Sequence, residues 1–150
     1  MLERSDAVYL ARVEGARDIV VKSHVGQRFP VNCSALGKSL IAWLAPERLD
    51  VVIANLAFEK RMPKTVTNAA DFRLHLADVR RSGWALDDEE QAPNCRCIAA
   101  PIRDRDGVVV AAISAVGTME QLEDRRVEML AAQAIDAASA ISQFVYSTAA

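Results

Sequence analysis

Residues 83–104, from Gly83 to Asp104, read GWALDDEEQAPNCRCIAAPIRD. A short apolar run, four consecutive acids, a Pro93-Asn94 turn and a Cys-x-Cys pair are packed into this one stretch. The pattern predicts two strands joined by an acidic turn. Period-two alternation puts Trp84, Leu86 and Asp88 on one face of the first strand, and Gly83, Ala85 and Asp87 on the other. The second strand, Cys95 to Ile102, is apolar and compact enough for the centre of a sheet. A purely structural hairpin has no need of Asp87, Asp88, Glu89 and Glu90 in a row, because adjacent like charges repel. An acid ending one strand beside a thiol in the next makes a plausible floor for a small polar pocket.

Working outward, Arg105-Asp106-Gly107 is a turn signal leading to the strand Val108 to Val116. From Leu122 to Tyr146 one long helix is expected, with Val127, Leu130, Ala134, Ala138, Ile141 and Val145 inward. Upstream, Asn68 and Asp71 open a helix whose buried stripe is Phe72, Leu76 and Val79 and whose end is Gly83. Ser34 is an N-cap for a helix carrying Leu36, Leu40, Ile41 and Leu44. Pro46 stops that helix and starts the next, with Leu49, Val52, Ile53 and Leu56 inward. Ala7 to Glu14 and Asp18 to Lys22 read as an N-terminal hairpin around Gly15-Ala16-Arg17, and Phe29-Pro30 as an extended approach to the first helix. The order ββ-αα-α-βββ-α predicts an α+β fold, an antiparallel sheet with helices packed on it, in a single domain spanning 1–150.

Bulk properties exclude several classes. One hundred and fifty residues at 51% hydrophobic content support one domain with a real core. A net charge of −2 provides no basic footprint for nucleic acid. No apolar run reaches the roughly 20 residues of a membrane span, and no signal-peptide core opens the chain, so a cytoplasmic protein with no membrane contact is expected. Cys33, Cys95 and Cys97 are an odd number, which favours reduced thiols, with Cys95 and Cys97 expected on opposite faces of their strand.

Candidate chemistry is sparse. Ser34 to Lys38 sits at a helix start, where free N–H groups favour an anion; the alternative is an ordinary cap, with Lys38 in solvent or paired with a hairpin acid. Asp87 is either a ligand's hydrogen-bond partner or a solvated strand end, and Asp88 to Glu90 read as solvated. Cys97 is either a small buried residue or the nucleophile of an enzyme acting on a small carboxylic acid. The second role is opposed by Asp87, since a carboxylate disfavours a thiolate. Ser114 puts a hydroxyl into an apolar strand, where it needs a partner. Cys95-x-Cys97 with His24 or His75 lacks zinc spacing, and no phosphate loop, nucleophile elbow or HExxH is present, so no metal, cofactor or catalytic residue is assigned.

Several spaced motifs then fall into one order: Gly83-x-x-x-Asp87-x-x-Glu90, Cys97-Ile98-Ala99-Ala100-Pro101-Ile102 with Asp104, Ser34 to Lys38, Thr65-Val66-Thr67, and Ser114 to Gly117. This set resembles the C-terminal effector-binding domain of the IclR family of bacterial transcriptional regulators. Arg103 departs from the pattern, which usually has an aromatic or His there, and so does Asn94, where many relatives have Gly. The resemblance implies a GAF-like or profilin-like arrangement. It also implies a pocket in which the amides of Ala35 and Leu36 take an effector carboxylate, with Asp87, Cys97 and Ser114 converging and Val21, Phe29 and Val116 forming apolar wall. A small organic acid, aromatic or similarly apolar, is the implied effector. Dimers or tetramers are implied too, with DNA reached only through a winged helix-turn-helix domain not present in this chain. A stand-alone binding module is the remaining alternative.

Overall fold

The computed structural model describes residues 1–15 and 23–147. Its centre is the hairpin of the acidic stretch. Strands β4 (Ala85–Asp88), β5 (Arg96–Arg103) and β6 (Val109–Gly117) form an antiparallel sheet with β5 in the middle. The register sets Asp87 opposite Cys97, Cys97 opposite Val116, and Ala99 opposite Ser114. These residues therefore share one face, while Leu86, Ile98, Ala100 and Ile102 take the other.

The second face is covered by the long helix α4 (Asp124–Ser147). Val127, Ala131, Ala134 and Ala138 repeat at helical spacing and pack on Ile98, Ala100 and Ile102. The helix starts within two residues of the expected position near Leu122, after a turn in which Leu122 N–H bonds Thr118 O. The first face is covered by α1 (Ala35–Ile41), and α2 (Pro46–Ala54) and α3 (Ala69–Ser82) pack into the same core around it. Capping explains their limits. Ser34 Oγ accepts from Gly37 N–H at 3.1 Å, and Asn68 Oδ1 from Asp71 N–H at 2.9 Å. Pro46 opens α2, and Gly83 ends α3 at φ +85°, a conformation glycine adopts without strain. Gly37 is needed for closeness instead: a Cβ there would lie 2.3 Å from Val31 Cα, on the short 3₁₀ turn Val31–Cys33 that leads into α1.

The N-terminal region differs from expectation. β1 (Leu2–Glu3), β2 (Asp6–Val8) and β3 (Arg28–Pro30) form a small second sheet, in that order. The strand expected over Ala7 to Glu14 ends at Val8, and pairing among the described residues stops at Tyr9, whose N–H bonds Gln27 O at 3.1 Å. β-Branched residues extend a strand only where a neighbouring ladder takes up their N–H and C=O groups, and Val13 is 93% exposed. The second expected strand, Asp18 to Lys22, lies outside the described residues. Conversely, the approach at Phe29-Pro30 is itself a strand, with Phe29 opposite Ala7 and stacked edge-on against Tyr9. Pro30 is tolerated there because it sits at a strand end.

Candidate functional site

The four acids part company in the turn after β4. Asp88 pairs with Arg96 at 2.6 Å and with Lys64 at 2.8 Å. Glu89 adopts φ 57°, pairs with Lys64 at 3.2 Å and accepts Asn94 N–H at 3.0 Å. These contacts hold both carboxyls below the usual range: Lys64 and Arg96 outweigh burial at Asp88, and the Asn94 bond acts first at Glu89. Glu90, expected in solvent, is instead 5% exposed and ion-paired with Lys38, which is 1% exposed. Lys38 Nζ also donates to Leu86 O at 2.6 Å. Burial forces that pairing, since an unpartnered ammonium or carboxylate inside a core is very costly. Thr65 fastens the same turn, its hydroxyl donating to Glu90 O at 2.6 Å and accepting Met62 N–H at 2.8 Å.

Asp87 is the exception. It is 3% exposed and has no salt-bridge partner among the described residues. Its Oδ1 accepts Glu90 N–H at 2.8 Å, with Gln91 N–H a further backbone donor. Burial pushes its pKa up to about 7, Glu90 adds to the rise, and the backbone bonds and Lys38 offset part of it.

Asp87 faces an enclosed cavity of about 30 Å³ between α1 and the sheet. Ser34, Ala35 and Leu36 bring the start of α1 to it, where the N–H groups of Ala35 and Leu36 have no helical carbonyl to bond. Phe29 and Tyr9 close one side, Val116 another, and Cys97, Cys95 and Gln91 complete the floor. Of the sequence-derived candidates, Ala35, Leu36, Asp87, Cys97, Val116 and Phe29 thus meet at one space. Ser114 stands behind this wall, hydrogen-bonded to the Cys97 thiol, and Val21 lies outside the described residues.

The expectation that Cys95 and Cys97 point apart is wrong: residues two apart on an extended chain share a face, and both thiols border the cavity. Tyr9, Cys95 and Gln91 went unassigned in the sequence. Gln91 follows the acids directly, and its carbonyl accepts the Cys33 thiol at 2.8 Å. Burial raises the Cys97 thiol strongly, Asp87 adding to the effect, and raises Cys33 to about 12 and Cys95 to about 11. A nucleophilic cysteine requires the opposite shift. No group of three or more His, Cys, Asp or Glu among the described residues is placed to hold a metal.

Larger surface grooves lie elsewhere: two of about 600 Å³, one under Trp43 and Arg103 and one between Arg4 and Phe58, and another of about 350 Å³ beside His75 and Trp84. The first two contain no buried ionisable side chain, and in the third the buried Lys38 and Glu90 are already paired with each other. Size therefore points away from the chemistry here, and the small cavity with the buried acid is the better candidate.

A small, mostly apolar cavity between helix and sheet, with protonated thiols and one buried acid that has no cation of its own, suits the binding of a small molecule. The comparisons agree: residues 1–143 match the family described as bacterial transcriptional regulator IclR C-terminal, and the chain belongs to the IclR family. It is 34% identical over 145 residues to the HTH-type transcriptional regulator RhmR of Escherichia coli, covering 97% of this chain and 56% of that protein. The crystal structure of Thermotoga maritima IclR superposes with a TM-score of 0.90 at 27% identity, over 95% of this chain and 57% of that one. An IclR homologue from Microbacterium hydrocarbonoxydans complexed with 4-hydroxybenzoate superposes at 0.83 with 30% identity, over 95% and 57%. The chain thus spans little more than half the length of these relatives. No helix among the described residues is long and apolar enough to cross a membrane.

Proposed function

We propose that this domain senses a small carboxylic acid and transmits its binding to the DNA-binding part of a transcriptional regulator. The observation that carries the reading is the meeting of two opposite preferences in one cavity. The Ala35 and Leu36 amides are donors without helical partners, and Asp87 is a buried acid with no cation of its own. The effector carboxylate sits at the amides. A hydroxyl, keto or protonated group faces Asp87, with Ser114 behind Cys97. Phe29 and Val116 form apolar wall, which favours an aromatic or similarly apolar acid, and the 4-hydroxybenzoate complex of a relative supports that class.

At about 30 Å³ the space holds a water molecule, so an aromatic acid parts its walls on entry. Binding then favours one arrangement of a dimer or tetramer over another, which is how it reaches the DNA. DNA contact belongs to a winged helix-turn-helix domain outside these 150 residues, and the net charge of −2 fits that division. The domain itself is not an enzyme, in keeping with the raised Cys97 thiol.

Calorimetry with an acid and its methyl ester tests the reading. The acid binds and the ester binds much more weakly; equal affinity removes the amide site.

A further inference from the structure

We infer that Asp87 meets a bound acid in its protonated form, so that each carboxylate entering the cavity brings a proton with it from the buffer. The inference rests on the reading of this cavity as a carboxylic acid site. It starts from the charges that face Asp87. Lys38 of α1 is the nearby cation, and its ammonium is already committed to Glu90 and Leu86 O. At Asp87 the charge of Glu90 outweighs that of Lys38, so the pair leaves no net cation to hold the Asp87 carboxylate. From the remaining elements Asp87 is faced by Tyr9, the Cys33 thiol of the 3₁₀ turn, and the thiols of Cys95 and Cys97. Burial holds all four in their neutral forms near pH 7. Phe29 and Val116 add only apolar surface.

An acid placed here finds one unmatched carboxylate already present. Two carboxylates in one enclosed, low-dielectric space do not both stay ionised; they share a proton. Asp87 is its holder, because burial, with Glu90 adding to it, has already raised it to about 7, whereas a free carboxylic acid ionises near 4. The specificity follows. A protonated Asp87 donates one hydrogen bond, so it selects a ligand with an acceptor, a keto or hydroxyl oxygen, on the side away from its carboxylate.

The test begins with a thermal-shift screen of the chain against benzoate, 4-hydroxybenzoate, pyruvate and similar acids. The tightest binder is then titrated by calorimetry at pH 6, 7 and 8, in phosphate and in Tris, whose different ionisation enthalpies report the protons exchanged. Uptake is expected to be near zero at pH 6, where Asp87 already holds its proton, and to approach one at pH 8. The affinity should weaken by up to tenfold per pH unit above about 7. Asp87→Asn should bind with no uptake and a flat pH profile. Zero uptake at pH 8 by the unaltered protein overturns the inference while leaving the acid site standing. So does an Asp87→Asn uptake equal to that of the unaltered protein, which assigns the proton to another group such as the N-terminal amine. If no acid in the panel binds, the functional reading fails first and takes this inference with it. If the variant folds poorly, the two-buffer measurement on the unaltered protein can still overturn the inference, by showing zero uptake at pH 8.

Discussion

The two faces of the β4–β6 sheet are built from alternate residues of the same strands, and they do opposite work. Towards α4, Ile98, Ala100 and Ile102 meet small helix residues in an apolar contact, and the buried charge on this side, Arg96 at the start of β5, is partnered by Asp88, Asp124 and Leu122 O. Towards α1, Cys97 and Ala99 stand beside Asp87, and behind them lies the Lys38–Glu90 pair. The α4 face is plain packing, where any apolar side chain of similar volume serves. The α1 face contains charges whose desolvation is costly, and nothing about fold stability demands them. Their burial beside the cavity is the mark of a site.

Breaking each face measures that contrast. The largest effect is expected for Lys38→Met, which leaves Glu90 buried without its cation and should cost about 3–5 kcal/mol in denaturant unfolding. Adding Glu90→Leu to it should recover most of that loss, because an apolar pair replaces an ionic one; no recovery would mean that packing, not charge, sets the cost. On the other face Ile98→Ala should cost about 2–5 kcal/mol, with no charge-dependent rescue available.

Asp87→Asn works in the other direction. The carboxyl titrates at about 7 when folded, above its unfolded 3.8, so the folded state binds its proton more tightly. The contribution of this group to stability is therefore fully present below about pH 4 and is lost as pH rises to 7. The variant should gain on the unaltered protein across that window, by at most about 1.4 kcal/mol per pH unit, as read from paired urea melts. A gap that does not change with pH would place Asp87 in solvent. The smallest effect is expected at the Asn68 cap, remote from both faces: Asn68→Ala should cost about 1 kcal/mol and leave ligand binding unchanged.

How much of this was legible in the sequence follows from how far apart the interacting residues lie. The hairpin, its alternation and the capped α3 are local patterns, and Ser34, Asn68, Pro46 and Gly83 mark their helix ends where the sequence placed them. The spaced motifs identified the family as well. The burial of Glu90 was not legible, since Lys38 is 52 positions away and four acids in a row read locally as a solvated turn. The extent of the strand expected over Ala7 to Glu14 was misjudged because strand formation depends on a partner ladder, which composition does not supply. Tyr9 reached the cavity wall by that same pairing with β3. The two thiols were assigned to opposite faces by misapplying a period of two, a mistake of geometry rather than of missing information.

The most direct test of acid sensing is a crystal structure of the domain with its tightest-binding carboxylic acid. The ligand's carboxylate is expected within hydrogen-bond distance of the Ala35 and Leu36 amides, with an oxygen of its far end against Asp87 and Phe29 and Val116 on its flanks. A ligand bound in any surface groove, with Asp87 turned to bulk solvent or the α1 amides unused, would contradict it.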